Sequence, residues 1–237
     1  ADEVQMEDIQ ELIDRQIEYN ERIAQEGMQK EYGVSVGANL VKYYGNDVQV
    51  RARAMAAAGS DARMSGCLYP VVINSGSGNQ GITVSVPVIE YAKEMGVSHE
   101  KLVRALVFSN LIAIHQKTGI GRLSAYCGAV SAACGAGAGI TYLSGGSYEQ
   151  ICATITNTLA NVSGMICDGA KPSCAAKIAT AVDAAIMAHC LSMEAEEFQP
   201  GDGIVKDTVE NTIESVCEIA SQGMNVTDAK ILEIMVR

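Results

Sequence analysis

The sixteen residues Gly128–Leu143, GAVSAACGAGAGITYL, carry no side chain bulkier than valine before Ile140. Read as a helix, the stretch has little bulk to hold neighbours away. Elements beside it must therefore approach nearly at backbone distance. The rest of the chain agrees, with 23 glycines, no Trp and only two Phe among 237 residues. No alternation of apolar and polar residues survives beyond a few positions, so strands are not expected. The chain reads as a single compact all-α domain, residues 1–237, of many helices packed through small side chains.

The helices are expected in order. Residues 4–30 form an amphipathic one, with Met6, Ile9, Leu12, Ile13 and Ile17 at helical spacing. Shorter helices are expected over 33–44 and 47–58, after which the pattern stops from 59 to 81. Residues 82–95 and 98–117 resume it, the latter capped by Ser98 with Glu100 in its first turn. Ser147 and Gln150 form a capping box that starts a helix to about 165. Segments 173–193, 206–221 and 227–235 complete the set.

Seventeen Lys and Arg stand against 28 Asp and Glu, a net charge of −11 that argues against nucleic acid or an anionic membrane as partner. Arg104, Lys177 and Asp183 break the longest apolar runs, so no membrane span is expected. Eight cysteines with no secretory signal ahead of them imply reduced thiols and a cytoplasmic location.

Five of those cysteines fall within 121–174. Cys127 precedes the small-residue helix. Cys167 is expected at the end of the helix that follows, and Cys174 lies past Asp168, Gly169 and Pro172. Thiolates favour soft metals, iron–sulfur clusters above all. Taken singly, each cysteine also reads as a small apolar filler, and no C-x-x-C pair marks a zinc site. The stretch 74–81, Asn-Ser-Gly-Ser-Gly-Asn-Gln-Gly, offers successive backbone N–H groups to an anion. Asn74, Ser75, Ser77, Asn79 and Gln80 add donors for a small carboxylate, and the apolar run 69–73 holds the loop against a core. Lys117 and Arg122 flank the approach to Cys127, either as charge for the site or as surface residues. Arg51 and Arg53 read as surface charges, His189 as structural, and Cys134, Cys152 and Cys217 as packed.

Three words carry a resemblance: SGCLYPVVINSGSGNQGI at 65–82, IGRLSAYCGAVSAACGAGAGI at 120–140 and GMICDGAKPSCAAKI at 164–178. Together they resemble the iron–sulfur L-serine dehydratase α-domain superfamily over nearly the whole chain, and within it the L-cysteine desulfidase family. The resemblance implies a [4Fe-4S] cluster held by Cys127, Cys167 and Cys174. It also implies a lyase, independent of pyridoxal phosphate, that turns L-cysteine into pyruvate, ammonia and sulfide. The 74–81 loop would bind substrate. Dehydratases proper carry a longer insert between the last two cysteines and a Pro-Thr-Asn-Gly loop in place of SGSGNQG, which favours the desulfidase branch.

That family also has an N-terminal region with a Gly-Cys-Thr-Glu-Pro motif whose cysteine takes the proton. The motif is absent here, and Cys67 lies in a different one, SGCLYP. The resemblance therefore covers the cluster-binding half, with the catalytic base unassigned. It implies an N-terminal domain or subunit as partner and a small amino-acid substrate, L-cysteine or alternatively L-serine; a homodimer is left open. The α-chain of an iron–sulfur L-serine dehydratase is the alternative enzyme. A non-catalytic iron–sulfur sensor or electron-transfer domain is the alternative of another class.

Overall fold

The computed structural model describes residues 1–121 and 123–237. Arg122, one of the two cations expected beside Cys127, lies outside the described residues. Among the described residues the chain forms ten α-helices and one π-helical turn, with no strand. They are α1 (Met6–Gln29), α2 (Val36–Tyr44), α3 (Val48–Met64), α4 (Gly78–Met95), α5 (His99–Ile120), α6 (Gly128–Leu143), α7 (Tyr148–Val162), α8 (Cys174–Met193), α9 (Val209–Glu218), the π turn Ile219–Gly223 and α10 (Asn225–Met235).

The small-residue helix α6 is the centre, packed against α4, α5, α7 and α8. A Cβ on Gly135 would lie 2.4 Å from the Ser109 carbonyl oxygen of α5, so only glycine permits that approach. The Ser109 hydroxyl donates to the Val84 carbonyl at 2.7 Å, which ties α5 to α4 beneath α6. A second layer is built on α3, packed against α1, α2, α4 and α8. Helix starts are set locally. Asp47, Ser77, Ser98, Ser147 and Thr208 each accept the N–H three residues on. Each such cap contributes about 1 kcal/mol. The Ser147–Gln150 capping box closes reciprocally.

Several expected boundaries move. Helix α3 runs to Met64, past the end expected at 58. Every residue from Ala54 to Ala62 is buried, and a helix covered on all sides shows no amphipathic period to extend. Helix α4 begins at Gly78, so the end of the glycine-rich loop is its first turn. Helix α7 stops at Val162, which leaves Cys167 in extended chain rather than at a helix end. The helix expected over 206–221 is α9 followed by the π turn. Helix α8 is the one described helix long and apolar enough to cross a membrane, and more than half of its apolar stretch is buried within the domain.

Asp61 is fully buried on α3. Its Oδ2 accepts the Gly37 N–H at 3.4 Å in the first turn of α2, whose own N-cap Ser35 makes no side-chain bond. Its Oδ1 has no hydrogen-bond partner. Burial pushes the Asp61 carboxyl up to about 6.

Two outcomes follow. Gly135→Ala should lower unfolding stability by about 1–3 kcal/mol in urea titrations, because overpacking against Ser109 outweighs the propensity gain of about 1 kcal/mol. A raised carboxyl pKa contributes stability that is fully present below the unfolded value and is lost as pH rises through about 6. Asp61→Asn keeps an acceptor for Gly37 but does not titrate. The melting temperature of the native chain should therefore fall relative to Asp61→Asn between roughly pH 4 and pH 7. Parallel pH profiles for the two proteins would contradict the assignment.

Candidate active site

Cys127 is the residue just before α6, and Cys174 is the first residue of α8. Cys167 joins them through a short antiparallel pairing of Tyr126 with Ile166. The Cys127 N–H donates to Met165 O at 3.0 Å, and the Cys167 N–H to Ala125 O at 2.6 Å. These bonds hold the two segments side by side at the N-terminus of α6. All three cysteines line one cavity of about 110 Å³, together with Ser77, Asn79, Gln80 and Lys177.

The thiols interact. Their proximity holds Cys167 below the usual thiol range and, with burial, pushes Cys127 above it. Lys177 lies one turn into α8, pairs with Asp168 and donates to Ile166 O at 3.1 Å. Its charge favours the thiolate forms of Cys127 and Cys167. Cys174 Sγ accepts the Lys171 N–H at 3.4 Å and donates to Gly169 O at 3.6 Å. Two of the three sulfurs thus sit where a helix begins, the end whose dipole stabilises thiolate. All eight cysteines are free thiols. Among the described residues no three His, Cys, Asp or Glu side chains already stand together at metal-holding distance. The three thiols share a cavity, and Cys174 is turned to its own loop.

The polar loop reaches the same cavity because α1 and α5 clamp it. Asn20, fully buried on α1, accepts the Val72 N–H at 2.8 Å. Its amide nitrogen lies 3.1 Å from Val72 O, 3.0 Å from Gly81 O and 3.0 Å from Ser85 Oγ. Asn74 donates to Asn110 Oδ1 at 2.9 Å, and Asn110 donates to Gln16 Oε1 at 2.8 Å. Between Asn74 and Ser77 the chain turns through two left-handed residues, Ser75 and Gly76, closed by Ser77 N–H to Asn74 O at 3.0 Å.

The five predicted carboxylate donors therefore divide. Ser77, Asn79 and Gln80 face the cysteines, whereas Asn74 is bonded into the clamp and Ser75 donates to Asn74 Oδ1 at 2.8 Å. Gln80 lies flat on α6: a Cβ at Gly128 would come within 2.5 Å of its carboxamide.

Two cations escaped the sequence reading. Arg63 sits in the last turn of α3, and the early end expected for that helix hid it. Its guanidinium packs on Gly78, where a Cβ would be 2.3 Å from Nε, and its Nη1 donates to Asn79 Oδ1 at 3.4 Å. Lys177 was legible as the residue three past Cys174 on one helix face. Lys117 is buried, and desolvation lowers its pKa while Cys167 and Cys127 oppose that shift. The remaining candidates lie elsewhere. Arg51 pairs with Glu90 and Glu94, Arg53 with Asp183, and buried His189 bonds Thr141 at 2.9 Å. Cys134 is buried in the core, and Cys152, Cys190 and Cys217 do not line the cavity.

The family model for the serine dehydratase alpha chain matches residues 1–233. A UPF0597 protein of Lachnoclostridium phytofermentans is 63% identical over 235 residues, 99% of this chain and 56% of that protein. One from Desulfitobacterium hafniense is 60% identical over 99% of this chain and 55% of its own length. One from Treponema denticola is 55% identical over the whole of this chain and 56% of its own length. The chain thus spans little more than half the length of these relatives. No solved structure matches it.

Asn20→Ala should cost roughly 3 kcal/mol of unfolding stability, because it leaves the Val72 N–H and the Gly81 carbonyl buried without their partner. Hydrogen exchange should quicken in 72–81 more than in α7, which Asn20 does not touch. A uniform change across the two segments would contradict a clamp on the loop.

Proposed function

The chain belongs to the serine dehydratase alpha chain family, and from that premise we propose that it is the cluster- and substrate-binding part of an iron–sulfur-dependent amino-acid lyase acting on L-cysteine. The observation that carries this reading is the meeting of three reduced thiols and the Ser77–Gln80 turn around one cavity. Thiols without an imidazole donor in the cavity suit an iron–sulfur cluster better than zinc or a hard cation. Cys127, Cys167 and Cys174 would hold a [4Fe-4S] cluster, with Cys174 released from Gly169 O to do so. When bound, such a cluster supplies a Lewis-acidic iron, unligated by protein, for the leaving sulfur.

The chain's own residues do the binding. Ser77, Asn79 and Gln80 hold the substrate carboxylate and orient the α-carbon toward the cysteines, and Arg63 steadies Asn79 from behind the loop. Lys177 and the starts of α6 and α8 offset the negative charge that thiolates bring into the cavity. The substrate loses its α-proton and its β-sulfur, as sulfide, to give 2-aminoacrylate. Addition of water then yields pyruvate and ammonia. A base on the N-terminal partner that the resemblance implies takes the α-proton.

The SGSGNQG loop and the seven-residue step from Cys167 to Cys174 resemble the desulfidase branch, and that resemblance favours cysteine. The family's description favours L-serine as the second reading, with water in place of sulfide as the leaving group. A sensor or electron-transfer role gives no use to the clamped loop beside the thiols. Eight free thiols agree with a cytoplasmic setting.

Anaerobic reconstitution of the chain should give the broad visible absorption of a cluster. Cys127→Ala, Cys167→Ala and Cys174→Ala should each lose it, and Cys134→Ala should keep it. In the complete enzyme, Asn79→Ala should raise KM about fivefold with a smaller change in kcat, since a hydrogen bond to the carboxylate is lost. Sulfide release from L-cysteine measured against pyruvate release from L-serine separates the two substrates. An intact spectrum in all three cysteine variants would end the cluster assignment.

A further inference from the structure

A groove walled mainly by aliphatic side chains runs from α1, over the turn at 73–76, to the end of α5. Leu12 and Ile73 are each 56% exposed, Leu111 51%, Ile114 44% and Leu123 92%. The groove is two cavities, of about 280 and 860 Å³, that share Ser75 and Ile114 and so run into each other. Single exposed leucines are ordinary, but five large aliphatic side chains on one side of a domain are not. Three of the groove's polar side chains await no small ligand, because Gln16, Asn74 and Asn110 are already joined through hydrogen bonds. The groove ends beside the cysteines. Ser75 is two residues from Ser77, and Lys117, in the groove wall, feels Cys167 and Cys127.

We propose that this groove seats a second folded polypeptide unit, the portion of the longer relatives that this chain does not match. Those relatives align over 99–100% of this chain but 55–56% of themselves. Each therefore carries nearly as many residues again. A unit of that size needs a contact face with an apolar centre. A second copy of this chain is the poorer occupant. It would bring the same charge of −11 and the same exposed Glu7 and Asp8 on α1 to the groove's edge. Seated there, the second unit covers Leu111, Ile114 and Leu123 and walls the cysteine cavity from the side of Lys117. The inference rests on the family and the groove, and it stands whether or not the elimination reading survives.

The test is co-expression of this chain with the unmatched portion of the Lachnoclostridium phytofermentans relative, read without any activity or cluster assay. A one-to-one complex is expected by light scattering. In it, hydroxyl-radical labelling of Leu111, Ile114 and Leu123 should fall about fivefold or more, while exposed Met187 on α8 keeps its labelling. The double variant Leu111→Glu, Ile114→Glu should weaken the complex about tenfold or more with an unchanged melting curve. Leu123→Asp, at a site with almost no packing to lose, serves as the second variant. Absence of a complex, undiminished labelling of the groove within one, wild-type affinity in both variants, or a homodimer that protects the groove would each overturn the proposal.

Discussion

The Ser109 carbonyl of α5 and the Cα of Gly135 on α6 stand so close that no side chain fits at position 135. That contact sets the rest of the architecture. With α6 built mostly of Ala, Gly and Ser, four helices close on it, and its N-terminus is fixed among α4, α8 and the 165–167 segment. Cys127 stands at that terminus, Gln80 lies flat on its first residue, and Cys174 opens the neighbouring helix. The cavity between them follows from how closely the backbones meet. Bulkier residues on α6 would separate the elements that line it.

Side-chain amides complete what small residues begin. One group of buried polar side chains gathers where α1 and α5 meet the loop before α4. Asn20, Gln16, Asn74 and Asn110 satisfy one another and the loop backbone there. The loop that presents Ser77, Asn79 and Gln80 is thus held from behind. A loop that aims donors at a small substrate needs that rigidity, because a displacement of ~1 Å in a positioned group can cost about a hundredfold in rate.

The sequence disclosed local signals well. The capping box at Ser147, the cap at Ser98 and the bounds of α6 lie in short stretches, and the structure reproduces them. The all-helical class followed from the missing alternation and is what the structure shows. Long-range features were hidden. Helix α3 is buried on every side from Ala54 to Ala62, so its length left no periodic trace and Arg63 went unnoticed at its end. The pairing of Tyr126 with Ile166 is too short to imprint a pattern, so Cys167 was expected on a helix. Asn74 and Ser75 looked like ligand donors from composition, and only tertiary contacts reveal them as parts of the turn.

In the proposed function Cys127, Cys167 and Cys174 act together as the three protein ligands of one cluster, with one iron left for substrate. Mössbauer spectroscopy of the anaerobically reconstituted, iron-57-labelled chain tests this directly. The predicted spectrum is that of a four-iron cluster in which one iron changes its isomer shift and quadrupole splitting when L-cysteine is added. A cluster whose irons all stay unchanged with substrate, or iron bound singly without inorganic sulfide, would contradict it.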